Sequence, residues 1–119
     1  MVQSKLIVNV RRIDERLSVI DIEGDVTGQG DALMSDAFSR ATAHHPRCVA
    51  LNFSKLDYMN SSGIGILVTL LVRAQRQKLK LITFGLNVHY REIFELTRLD
   101  DAIGIFDNEA DALAGATTQ

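Results

Sequence analysis

Ser61, Ser62 and Gly63 open the run Ser61-Ser62-Gly63-Ile64-Gly65-Ile66-Leu67, in which two hydroxyls stand directly ahead of an apolar stretch. Hydroxyls so placed could serve as nucleophiles, as phosphate acceptors or as helix caps. A hydrolase elbow needs glycine two residues before its serine, and Met59 and Asn60 occupy that place for Ser61 and Ser62. A phosphate-cradling loop ends in Gly-Lys-Ser or Gly-Lys-Thr, and neither tripeptide occurs. His44 and His45 are adjacent, so on a helix they diverge, and His89 lies far off with no partner at metal-ligand spacing. They read as a pair near the negative end of a helix dipole and as an exposed residue of a later helix. Cys48 is the one cysteine, sits in the apolar run Cys48-Val49-Ala50-Leu51, and reads as a small buried thiol. No catalytic constellation, metal or cofactor is expected. Phosphate acceptance and capping remain.

Those two roles are compatible. A serine at a helix N-terminus lies beside backbone N–H groups that lack intrahelical partners, and an added phosphate can be held there without unfolding the helix. The same phosphate brings about −1.5 to −2 charge, which disrupts a packed interface by desolvation and repulsion. A penalty of about 3 kcal/mol lowers affinity more than a hundredfold, enough to reverse a switch. As caps, Asn60 or Ser61 would bond the first turn, while Ser62 and Gly63 permit close packing. Tyr58 could anchor a partner as a loop aromatic, and Met59 could do the same or tuck into the core.

The elements that must position this segment follow from hydrophobic periodicity. Residues 5–10 and 16–23 alternate as two strands, joined by the polar turn Arg12 to Glu15. Gly24 to Gly30 reads as a loop, and Asp31 as the cap of a helix whose apolar face is Leu33, Met34, Ala37, Phe38 and Ala41. His44-His45-Pro46 ends it, because proline disfavours helical geometry in the preceding residue. Cys48 to Phe53 is nearly all apolar, as in a central strand covered on both sides. A loop over Ser54 to Asn60 leads to a helix over 61–77, with Ile64, Leu67, Val68, Leu71 and Ala74 facing inward and Arg73, Arg76 and Lys78 near its negative end. Leu79 to Phe84 forms a strand that Gly85 breaks. Asn87 caps a short helix with Ile93, Phe94 and Thr97 inward. A strand over Ile103 to Phe106, a helix over Asp107 to Ala114 and a fraying tail from Gly115 to Gln119 complete the chain. Repeated strand, helix, strand units need crossover connections and make parallel pairs, so the opening hairpin makes the sheet mixed.

With 119 residues the chain fits one domain, ordered over about residues 4–114, and 46% hydrophobic content supplies a single core. Net charge is −2 and Lys/Arg form no long stripe along the sequence, which argues against nucleic acid as a partner. The apolar stretch Leu6 to Val10 is shorter than a signal-peptide core, and the longest apolar block, Ile64 to Val72, is about half a membrane span. A cytoplasmic protein without membrane insertion is expected.

The segment Leu51-Asn52-Phe53-Ser54-Lys55-Leu56-Asp57-Tyr58-Met59-Asn60-Ser61-Ser62-Gly63-Ile64-Gly65-Ile66-Leu67, with Gly24-Asp25 and the order of elements along nearly the whole chain, resembles the STAS signature of bacterial anti-sigma factor antagonists. The resemblance implies an α/β fold with a mixed sheet and about four helices, and action by binding rather than catalysis. It implies partner switching: the unmodified protein binds an anti-sigma factor that is a serine kinase of histidine-kinase-like fold, phosphorylation of Ser61 ends the interaction, and a phosphatase restores it. The implied docking surface is Gly24, Asp25, Val26 and Thr27 with Tyr58, Met59, Asn60, Ser61, Ser62 and Gly63. Two positions depart from the phosphorylated relatives. Asn60 stands where they carry aspartate, and Gly24-Asp25-Val26-Thr27 replaces a Gly-Glu-Leu-Asp type loop, losing its second acid at Thr27. Both departures fit a second expectation, a STAS scaffold or accessory subunit of a stress-signalling or lipid-transport complex.

Overall fold

A computed structural model describes residues 5–117. Two strands, β1 (Leu6–Arg12) and β2 (Leu17–Val26), form the opening hairpin. They are followed by α1 (Asp31–Thr42), β3 (Cys48–Met59), α2 (Ser61–Arg76), β4 (Lys80–Phe84), α3 (Val88–Leu96), β5 (Gly104–Phe106) and α4 (Glu109–Thr117). The sheet order is β1-β2-β3-β4-β5, antiparallel between β1 and β2 and parallel thereafter. This is the mixed α/β sheet that the alternation predicts.

Because β2 to β5 advance one neighbour at a time in one direction, three right-handed crossovers must all lie on the same face. Packing agrees. Met34, Phe38, Leu67, Leu70, Tyr90 and Phe94 from α1, α2 and α3 join Ile20, Ile22, Val49 and Leu51 of the sheet in one large core. The opposite face carries a smaller cluster of Leu17, Val19, Cys48, Ala50, Ile82 and Phe84, capped by Ala112, Leu113 and Ala116 of α4. Beyond α4 that face is polar apart from the exposed Ile7. There Arg11 spans Asp21 at 2.6 Å and Glu109 at 2.6 Å, tying the hairpin to α4, and Asn52 donates to Asp21 at 2.7 Å.

Several local expectations are corrected. Residues 24–26 and 54–59 are strand, not loop: the end of β2 pairs with the end of β3, Gly24 with Leu56, Asp25 with Tyr58 and Val26 with Met59. Polar residues such as Asp25, Ser54, Lys55 and Asp57 hide this in the sequence, while parallel backbone pairing across two register shifts sustains the strand ends. Asp31 does not cap α1; a 3-10 turn over Gly28–Gly30 runs directly into the helix, and Gly30 takes the cap position. Leu33 is exposed, since the buried stripe Met34, Ala37, Phe38 and Ala41 leaves it about 100° off axis.

The buried face of α2 is Gly63, Ile66, Leu67, Leu70 and Ala74, turned by about one residue from the expected one. Val68 points outward, and Ile64 and Leu71 only flank the core. Both faces of α2 are apolar enough; the choice falls to Gly63, which must meet the sheet. Thr97 is exposed, its hydroxyl donating to the Ile93 carbonyl at 2.7 Å, and Tyr90 is buried instead. The last helix continues through Gly115 to Thr117, so the expected fraying does not begin at Gly115; residues 118–119 and 1–4 lie outside the described residues.

Candidate functional site at the head of the second helix

At the carboxyl ends of β2 and β3 the two segments singled out in the sequence become neighbours. Asp25 stands in register with Tyr58 and Val26 with Met59, and the Asn60 N–H donates to the Val26 carbonyl at 3.3 Å. Asn60 keeps an extended backbone, and its Oδ1 accepts from the Gly63 N–H at 2.9 Å. Its carbonyl accepts from the Ile64 N–H at 3.0 Å. Asn60 is therefore the cap, and Ser61 is the first residue of α2. The N–H groups of Ser61 and Ser62 are the two of the first turn that Asn60 does not take up.

Ser61 and Ser62 are exposed, and Tyr58 is 49% exposed beside them. Asp25, Thr27 and Asn60 are half-buried, and Asp57 is exposed. Val26, Met59 and Gly63 are buried, so as docking residues they are corrected to a supporting layer beneath the surface. The reason is steric. A Cβ at position 63 would collide with the Val26 carbonyl and crowd Met59, so only glycine lets α2 begin this close to the sheet. Gly24 has a similar role: at φ 97 it leaves room for the Lys5 carbonyl, which accepts from the Asp25 N–H at 3.1 Å. Alongside Asn60 lies a depression of about 870 Å³, bordered by Leu6, Asp25, Thr27, Gln29 and Leu33.

Tyr90 was not expected at the site. From α3 its hydroxyl oxygen accepts the Met59 N–H at 2.8 Å, pinning the end of β3 where the chain turns into α2. The available signal was its place three residues after Asn87, which makes it the residue whose N–H bonds the Asn87 cap at 3.0 Å. Charge chemistry lies elsewhere. Asp21, on the far face of the sheet, is pushed up by burial, but hydrogen bonds from Arg11 and Asn52 and the charges of Arg11 and Lys55 outweigh this and leave it below the usual carboxylate range. Burial pushes the Cys48 thiol up to about 11, which keeps it protonated and inert. Among the described residues no three His, Cys, Asp or Glu side chains converge as a metal site requires.

A mixed sheet with its crossover helices on one face, with two hydroxyls and an aromatic ring exposed at the head of one helix, defines an α/β domain of a recognisable class. The chain belongs to the STAS domain family, whose model matches residues 8–112. No curated protein matches it in sequence. Its fold is shared with solved structures. An anti-sigma factor antagonist from Mycobacterium paratuberculosis superposes with a TM-score of 0.81 at 19% identity, over 94% of each chain. The phosphorylated form of the Bacillus cell fate determinant SpoIIAA gives 0.66 at 19% identity, over 91% of this chain and 97% of that one. A sulfate transporter family protein from Wolinella succinogenes gives 0.76 at 15% identity, over 89% and 88%. Identities this low carry the fold and no more.

Proposed function

We propose that the protein is an anti-sigma factor antagonist-like regulator that acts in the cytoplasm by binding an anti-sigma factor kinase of histidine-kinase-like fold, and that phosphorylation of Ser61 releases it until a phosphatase resets the cycle. The observation that carries this reading is the exposure of Ser61 as the first residue of a 16-residue helix, among half-buried and exposed neighbours that a partner can cover. Asn60 caps the helix, so the cap does not depend on Ser61, whose hydroxyl has no hydrogen-bond partner among the described residues. The surface a partner would cover is Asp25, Thr27, Tyr58, Asn60, Ser61 and Ser62, backed by Gly24, Val26, Met59 and Gly63.

Incubating the protein with its cognate kinase and labelled ATP tests the assignment. Wild type takes up label and Ser61→Ala does not; equal labelling of the two removes Ser61 from the cycle.

One observation favours a second reading, a non-phosphorylated STAS scaffold or accessory subunit of a stress-signalling or lipid-transport complex: the likeness to the Wolinella sulfate transporter family protein. Asn60 and Thr27, where phosphorylated relatives carry acids, point the same way. Affinity capture from native lysate separates the two, since a transporter ATPase in place of a kinase supports the accessory role.

A further inference from the structure

Cations that are scattered through the sequence meet at the end of the sheet opposite Ser61. Arg12 closes β1, Arg16 immediately precedes β2, Arg47 immediately precedes β3, and Lys80 opens β4. Backbone hydrogen bonds fix the row. The Arg47 and Cys48 N–H groups donate to the Arg16 carbonyl at 2.9 and 3.0 Å, and the Lys80 N–H donates to the Arg47 carbonyl at 2.8 Å. With neighbouring strands about 4.8 Å apart, the four cations line roughly 15 Å of sheet end. Lys78, in a left-handed turn at φ 58, and Arg76, at the end of α2, extend the row.

All six side chains are exposed, and none enters an ion pair among the described residues. Four carboxylates share this end: Glu15 is exposed in the hairpin turn, Asp14 there accepts from the Arg16 and Leu17 N–H groups at 2.7 and 3.0 Å, and in the turn before β5 Asp101 pairs with Arg98 beside the exposed Asp100. The six unpaired cations still outnumber these carboxylates, so the end carries an excess of positive charge. Ile13, 39% exposed, stands in the same turn between Arg12 and Arg16. No Phe, Tyr or Trp lies in the row to stack on bases. An apolar tip set among unpaired cations on a blunt end suits a surface of anionic headgroups above hydrocarbon.

We infer that this end of the protein is a peripheral docking surface for an anionic lipid bilayer, Ile13 settling into the headgroup region while Arg12, Arg16, Arg47, Lys78 and Lys80 face lipid phosphates. No helix among the described residues is long and apolar enough to cross a membrane, so the contact is adsorption. Ser61, at the other end of β3, would point away from the bilayer and stay open to a partner. The inference is independent of the role proposed for Ser61.

Cosedimentation of the full chain with phosphatidylcholine vesicles and with equal mixtures of phosphatidylcholine and phosphatidylglycerol tests it. Binding to the mixed vesicles and not to phosphatidylcholine, lost as salt rises, is the expected result. Replacing Arg16 and Arg47 together by Ser weakens binding roughly thirtyfold, at about fivefold per cation. Ile13→Ser weakens it further, while Arg98→Ser, which removes an exposed cation paired with Asp101, leaves it unchanged. Failure of wild type to sediment with anionic vesicles overturns the inference, as does an equal loss in Arg98→Ser. Retention on DNA or on an acidic protein without vesicle binding overturns it in favour of that partner.

Discussion

Gly63 and Val26 meet where the second helix begins: the Cα of Gly63 faces the Val26 carbonyl so closely that a methyl group there would strike the oxygen. This contact sets the rotation of α2 about its axis, and with it the outward aim of Ser61. Gly63→Ala forces the helix away from the sheet and should destabilise the fold by about 1–3 kcal/mol, the usual cost of overpacking. Urea denaturation checks this. Wild-type stability in the variant would mean that the strand end yields freely, and that Gly63 does not fix the helix.

Asn60 holds the same corner through a cap rather than a contact. Asn60→Ala removes the acceptor for the Gly63 N–H and should cost about 1 kcal/mol in a melting or denaturant experiment. Asn60→Asp keeps an oxygen in place and adds a charge that the helix dipole favours, so its stability should match wild type within about 0.5 kcal/mol at neutral pH. A large loss in the aspartate variant would contradict the capping role, because an acid at this position would then be a defect.

The polar face of the sheet gives a pH signature. Asp21 has a folded-state pKa below its unfolded value, so its contribution is present above about pH 4 and is lost as pH falls through the folded value. Wild type should therefore exceed Asp21→Asn in stability near neutrality, and the gap should close as denaturation is measured at progressively lower pH. A gap that stays constant from neutral to strongly acidic conditions would mean that the bonds from Arg11 and Asn52 do not depend on the Asp21 charge.

The order of elements and the two halves of the site were legible because periodicity and turn residues report local structure. The Asn87 cap behaves as local chemistry dictates, whereas α1 already ends at Thr42, ahead of Pro46, with His45 in the left-handed region at φ 57. What stayed hidden was decided between segments. The paired ends of β2 and β3 read as loop, because parallel partners 32 to 33 residues apart hold these strand ends together. The buried face of α2 is not legible in the sequence because Ile64, Val68 and Leu71 are as apolar as Ile66 and Leu70, and only the Val26 carbonyl distinguishes them. Tyr90 and the row Arg12, Arg16, Arg47 and Lys80 belong to different elements, so no window of sequence contains either relationship.

The most direct test is a calorimetric titration of the purified anti-sigma factor kinase with two preparations of the protein, one unmodified and one carrying phosphate on Ser61. Modification should leave the fold intact and weaken binding more than about a hundredfold, the equivalent of roughly 3 kcal/mol. Equal affinity for both preparations would contradict the switch at the head of α2.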